Sequence, residues 1–117
     1  MSESIIQEVI KSYNDLLEST GVHANEATRQ LLSFYETKES FPILLEIILR
    51  SDMDERIRRH AVIGVDHFVR KHYRDFDDKH MIFQKLLELM SFPYSEFIRR
   101  YIRSSVQTCM SFEVSSV

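Results

Sequence analysis

Apolar residues recur three and four positions apart along most of the chain, in six stretches separated by short polar segments. That spacing gathers apolar side chains on one face of an α-helix. The first helix is expected from about Ser4 to Glu18, with Ile5, Ile6, Val9, Ile10, Tyr13, Leu16 and Leu17 inward. Gly21 suits a left-handed cap after it. A second helix is expected from about Glu26 to Thr37, capped by Asn25, with Ala27, Gln30, Leu31 and Phe34 along a face. The third spans about Pro42 to Arg50. Ser40 can cap it, and Pro42 falls in its first turn, where a missing N–H costs nothing. Its run Ile43-Leu44-Leu45-Glu46-Ile47-Ile48-Leu49 is apolar almost all round, so the helix must be covered on several sides. A strand is the alternative for such a run; the Ser-x-Pro start and charged flanks favour a helix.

The fourth helix is the clearest, from about Asp54 to Tyr73. Asp54 and Glu55 suit the positive end of its dipole, and Arg70, Lys71 and Arg74 the negative end. Ile57, Ala61, Val65 and Phe68 form one apolar row, expected to be buried with Leu44, Leu45, Leu86 and Ile98. The fifth spans about Asp78 to Met90, with Phe83, Leu86, Leu87 and Met90 inward. The sixth starts after the cap Ser95 and carries Ile98, Tyr101, Ile102, Ser105, Val106 and Cys109 on one face. Gly64 stands inside the fourth helix at a cost to helix stability, which marks close helix packing.

The chain resembles itself. Glu55-x-Ile57-Arg58-Arg59 recurs as Glu96-x-Ile98-Arg99-Arg100, and Val65 as Val106, all at an offset of 41 residues. Leu44-Leu45-Glu46-Ile47-Ile48 recurs as Leu86-Leu87-Glu88-Leu89-Met90 at an offset of 42. A helix pair repeating at about 40 residues is the period of HEAT and armadillo units. The expected fold is therefore all-α: a right-handed α-solenoid of three HEAT-type helical hairpins, one domain over residues 1–117 with repeats near 4–38, 41–74 and 78–112. One hairpin cannot bury its own apolar face, so repeats stack and share a core. Stacking leaves long solvent-facing rows of helices, which suit protein partners and imply no pocket.

Composition agrees with that picture. Only 2 Gly and 2 Pro in 117 residues is few for a fold built from tight turns. A net charge of -3, with both signs interspersed, gives no general attraction to nucleic acid or to an anionic membrane. Cys109 is the single cysteine, so no internal disulfide forms, which fits a reducing compartment. No apolar run approaches the roughly 20 residues of a membrane span, and Met1-Ser2-Glu3-Ser4 does not open a signal peptide.

The sequence resembles the N-terminal domain of the importin-β (karyopherin-β) superfamily. The residues that carry the likeness are Ala27 to Leu32, Ser40 to Ile48, Asp54 to Val62 and Val65 to Tyr73. They follow the family's order of a short "x-L-L-x-I-L" helix, then "x-I-R-x-x-A", then a stretch ending in an aromatic. The resemblance implies nuclear transport, action in cytoplasm and nucleus, and binding of the GTP form of the small GTPase Ran through the second helix of each repeat. The family often has Lys-Asn where this chain has Asp66-His67, and Trp where it has Tyr73. Restoring the charge with Asp66→Lys is therefore expected to strengthen binding. Karyopherins are many times longer, so the chain is expected to be the start of one or a small relative that keeps this module.

The expected partner-binding residues are Arg59, Asp66, His67 and Arg70 on the fourth helix, with Arg100 and Gln107 one repeat later on the sixth. Spacings of seven and four place Arg59, Asp66 and Arg70 on one polar side; a solvated face with an Asp66–Arg70 pair at i,i+4 explains them more readily than a partner surface does. The cluster Arg70-Lys71-His72-Arg74 could touch phosphate, but dipole complementation at a helix end explains it without a partner. None of the five histidines makes a metal-ligating pair, no nucleophile–base arrangement or phosphate loop is readable, and Cys109 reads as a buried small hydrophobe. No enzyme activity, cofactor, metal, nucleic acid or membrane is expected. The alternative function is a structural HEAT scaffold or adaptor. The short, weakly charged end Phe112 to Val117 is a poor polar cap, so a weak homodimer through the last repeat is expected.

Overall fold

The computed structural model describes residues 2–18 and 21–115. Six helices follow one another: α1 (Ser2–Glu18), α2 (Val22–Tyr35), α3 (Ser40–Leu49), α4 (Glu55–His72), α5 (Lys79–Met90) and α6 (Glu96–Ser115). A 3-10 turn at Tyr73–Asp75 extends α4, and no strand occurs among the described residues. The helices pack as hairpins, α1 on α2, α3 on α4 and α5 on α6. Neighbouring pairs join chiefly through α4 on α6, with α1 and α2 resting on α3 and α4.

Local chemistry sets most boundaries. Asp54 accepts the Arg56 backbone N–H at 2.8 Å and opens α4; Asp78 accepts that of Met81 at 3.1 Å and opens α5. Ser95 accepts the Ile98 N–H at 3.5 Å before α6. Two starts differ from expectation. Helix α2 begins at Val22, with Gly21 before it at φ 66, so Asn25 is an interior residue whose N–H donates to the Gly21 carbonyl at 3.0 Å. Helix α3 begins at Ser40 itself; that buried hydroxyl donates backward to the Thr37 carbonyl at 2.8 Å and does not cap the helix.

The core runs the length of the stack. In α3, Phe41, Ile43, Leu44, Leu45, Ile47 and Ile48 are all buried, as an almost wholly apolar helix requires. Ile57, Ala61, Val65 and Phe68 are buried in α4, and Ile98, Ile102, Val106 and Cys109 in α6. Gly64 of α4 sits where Tyr35 of α2 and Leu44 of α3 press against that helix. A Cβ there would lie 2.5 Å from the Tyr35 ring and 3.0 Å from Leu44. The Tyr35 ring has little room to yield, because its hydroxyl shares a buried hydrogen bond of 2.7 Å with that of Tyr13.

The inward face of α5 differs by a rotation. Ile82, Leu86 and Leu89 are buried, whereas Leu87 and Met90 are exposed and Phe83 is half-buried. Likewise Gln30 of α2 is exposed, and Tyr35 takes the buried place on that helix.

Candidate protein-binding face

Helices α4 and α6 run side by side in the same direction, and polar bonds join them along their length. At the start, the Ser95 hydroxyl donates to Glu55 at 2.6 Å. In the middle, the Ser105 hydroxyl donates to Asp66 Oδ1 at 3.0 Å. One turn on, Arg70 Nη2 donates to the Ser104 hydroxyl at 2.7 Å. At the far end, the Tyr73 hydroxyl donates to Glu113 at 2.6 Å and its ring stacks on Phe112 at 6.0 Å. Burial, with the Glu113 bond added, pushes the Tyr73 hydroxyl well above its ordinary pKa. Repeat partners recognise each other here through hydroxyls and carboxylates at the margin of an apolar seam.

The expected ridge is divided by this arrangement. Arg59 is exposed; its guanidinium bonds Glu55 at 3.1 Å and lies 5.0 Å from the Phe97 ring. Arg100 and Gln107 are exposed on α6. Arg70 is exposed and held at two points, by Asp66 Oδ2 at 2.8 Å and by Ser104. Asp66 departs from the expectation of a solvated polar side: it is only 7% exposed. Its carboxylate accepts from both Arg70 and Ser105, so it ties α4 to α6 and aims the Arg70 guanidinium outward. His67 turns the other way, toward α2. Its ring lies 5.6 Å from that of Tyr35, and its buried Nε2 is 3.7 Å from Glu36, too far for a hydrogen bond.

Arg70 and Gln107 are brought together. With Ser104, Thr108, Ser111 and Phe112 they line a shallow depression of about 410 Å³, whose rim offers one guanidinium, an amide and hydroxyls. Such a set suits a carboxylate or polar side chain of a partner. Ser104 and Thr108 carry no sequence signal. Ser105 does: a hydroxyl on an otherwise apolar helix face must find a buried partner, and that partner is Asp66.

The basic cluster at the end of α4 is dispersed by its neighbours. Lys71 and His72 bond Glu36 at the end of α2, at 3.4 and 2.7 Å. Desolvation raises the Glu36 carboxyl, but these two bonds outweigh it and hold its pKa below the ordinary value. Arg74 lies 5.6 Å over the Phe112 ring. Cys109 is buried and its thiol is pushed up to about 12, by burial first and the Glu113 charge second, so it is a poor nucleophile. Among the described residues no helix is long and apolar enough to cross a membrane.

Residues 27–111 match the family defined as the importin-beta N-terminal domain, from the early turns of α2 to the last turns of α6. No curated protein and no solved structure matches the chain.

Proposed function

We infer, from the chain's membership of the importin-beta N-terminal domain family, that it acts as a protein-binding module of nuclear transport. The observation that carries this reading is the family match over residues 27–111, which takes in nearly all of the stacked core. The partner is the GTP form of a Ran-type small GTPase, met on the second helices of the pairs. Arg59, Arg70, Arg100 and Gln107 make the contacts from α4 and α6. Asp66 acts from beneath by holding Arg70, and His67 faces the junction with α2. The module needs no cofactor, metal, nucleic acid or membrane, carries out no catalysis, and works in cytoplasm and nucleus. What supports this assignment on the surface is the pre-positioning of Arg70: a guanidinium fixed by two bonds loses little freedom when a partner carboxylate arrives.

The test is capture of a Ran-type GTPase by the immobilised chain, loaded either with a non-hydrolysable GTP analogue or with GDP. Preferential capture of the GTP-analogue form is expected. Equal capture of both forms would move the chain to the structural scaffold reading.

A further inference from the structure

A cavity lies away from the α4–α6 ridge, between the first turn of α1 and the outer face of α3. It has a volume of about 530 Å³ and is lined by Glu3, Ile5, Ile6, Glu39, Pro42, Ile43, Glu46 and Arg50. The α3 members recur three and four residues apart, so they form one stripe of that helix. The floor is aliphatic and the rim is charged.

The charges do not balance. Among the described lining residues Arg50 is the one cation, and it is already engaged: Glu3 takes its two terminal nitrogens at 2.5 and 3.2 Å, and Glu46 lies 3.8 Å from Nε. The doubled hydrogen bond from Arg50, helped by one from Gln7, holds the Glu3 carboxyl down to about 2. Glu46 therefore shares a neutralised guanidinium and stays half-exposed, while the Glu39 carboxylate is exposed and has no bonded partner among the described residues. Among the described lining residues three carboxylates thus face one guanidinium, which leaves the rim of the aliphatic floor net negative.

The groove is also particular to this junction. At the 42-residue offset, Pro42, Ile43 and Glu46 of α3 become Gln84, Lys85 and Glu88 of α5, where Lys85 and Glu88 lie 3.7 Å apart. The corresponding stripe of the third pair is thus polar and internally paired. Stacking alone does not require an aliphatic, acid-rimmed groove, since the next repeat stacks without one.

We propose that the groove between α1 and α3 docks a basic amphipathic peptide segment, with an aliphatic side chain on Ile5, Ile6, Pro42 and Ile43 and flanking lysines or arginines on Glu39 and Glu46. The chemistry selects this occupant. An acidic segment or an anionic membrane meets a net-negative rim, and a purely apolar segment leaves the excess carboxylate charge unanswered. The groove is built from the first helices of two pairs and the GTPase-facing ridge from second helices, so the two sites are separable by mutation.

The experiment is fluorescence anisotropy with the whole chain and two labelled peptides, one alternating leucines with lysines and one carrying glutamates in place of the lysines. The lysine peptide is expected to bind, more weakly as salt is raised, and the glutamate peptide not to bind. Glu39→Lys and Glu46→Lys are each expected to weaken binding about tenfold, with smaller losses for Glu39→Gln and Glu46→Gln. Arg70→Glu is expected to leave it unchanged. Helical content and melting of every variant would be checked by circular dichroism. Absence of binding, equal binding of the two peptides, indifference to all four groove variants, or loss in Arg70→Glu alone would overturn the proposal. The last outcome would place the peptide on the ridge instead.

Discussion

Asp66 shows how much one side chain's burial changes its meaning. Its four-residue spacing from Arg70 reads as an ordinary surface pair. The structure adds Ser105, far away in sequence, and so makes Asp66 a buried acceptor shared by two donors. Asp66→Ala is expected to cost about 1–3 kcal/mol of stability in urea unfolding, because Ser105 loses its partner in a dry seam. Asp66→Lys was expected from the family resemblance to strengthen GTPase binding. With the carboxylate buried, it would set an ammonium beside Arg70, and the cost rises to about 3–5 kcal/mol with binding weakened. A Lys variant as stable as the wild type would refute this placement. His60 makes a second case. Its ring stacks on Tyr13 at 5.5 Å, and burial lowers its pKa below the ordinary 6.5. The unfolded chain then takes up the proton first, so stability is full above about pH 6.5 and falls as pH drops through that value toward the folded-state pKa. His60→Phe keeps a ring on Tyr13 and is expected to flatten the stability profile between about pH 7 and pH 5. An unchanged profile would show that His60 does not titrate on unfolding.

Among the elements, α4 is the keystone. Phe68 is 1% exposed, with Phe41, Phe76 and His72 rings at 5.9, 5.7 and 5.3 Å. Phe68→Ala is expected to cost about 3–5 kcal/mol, measured by chemical denaturation; a near-neutral result would contradict the helical register. The register of α4 was legible because its apolar row is unbroken and Asp54 marks its start. That of α5 was not. Phe83, Leu86, Leu87 and Met90 and the alternative set Ile82, Leu86 and Leu89 both have helical spacing. The choice between them is made by where α6 lies, which periodicity does not contain. The start of α2 was hidden for a related reason. Residues 22–25 lack an apolar stripe, and Gly21 before them resembles the end of one helix as much as the beginning of the next. On the proposed face, the exposure of Arg59, Arg70, Arg100 and Gln107 was readable from repeat spacing. Their supports, Ser104 and Thr108, were not, since small hydroxyl residues on a helix carry no pattern.

For the whole molecule, the internal repeat picks out apolar positions of the third pair that are exposed. Leu45 and Ile48 are 6% and 0% exposed, while their repeat counterparts Leu87 and Met90 are 39% and 38% exposed. Val69 is fully buried and its counterpart Met110 is 51% exposed. The positions that bury in the second pair are thus uncovered in the third, and α6 supplies Arg99 and Arg103 among them. Two copies meeting through this face would cover it, with an isologous two-fold as the simplest closed arrangement. Sedimentation at rising concentration is expected to show weak association that Met110→Lys abolishes. A strict monomer throughout, with α6 well protected from hydrogen exchange, would show that this end is stable uncovered. The central claim concerns the long ridge rather than this end. Its most direct test is calorimetric titration of the chain with a Ran-type GTPase in each nucleotide form, repeated with Arg70→Glu and Arg100→Glu. The account predicts clear preference for the GTP form and at least about tenfold loss in either variant while the fold is retained. Equal affinity for the two forms, or affinity unchanged by both reversals, would contradict it.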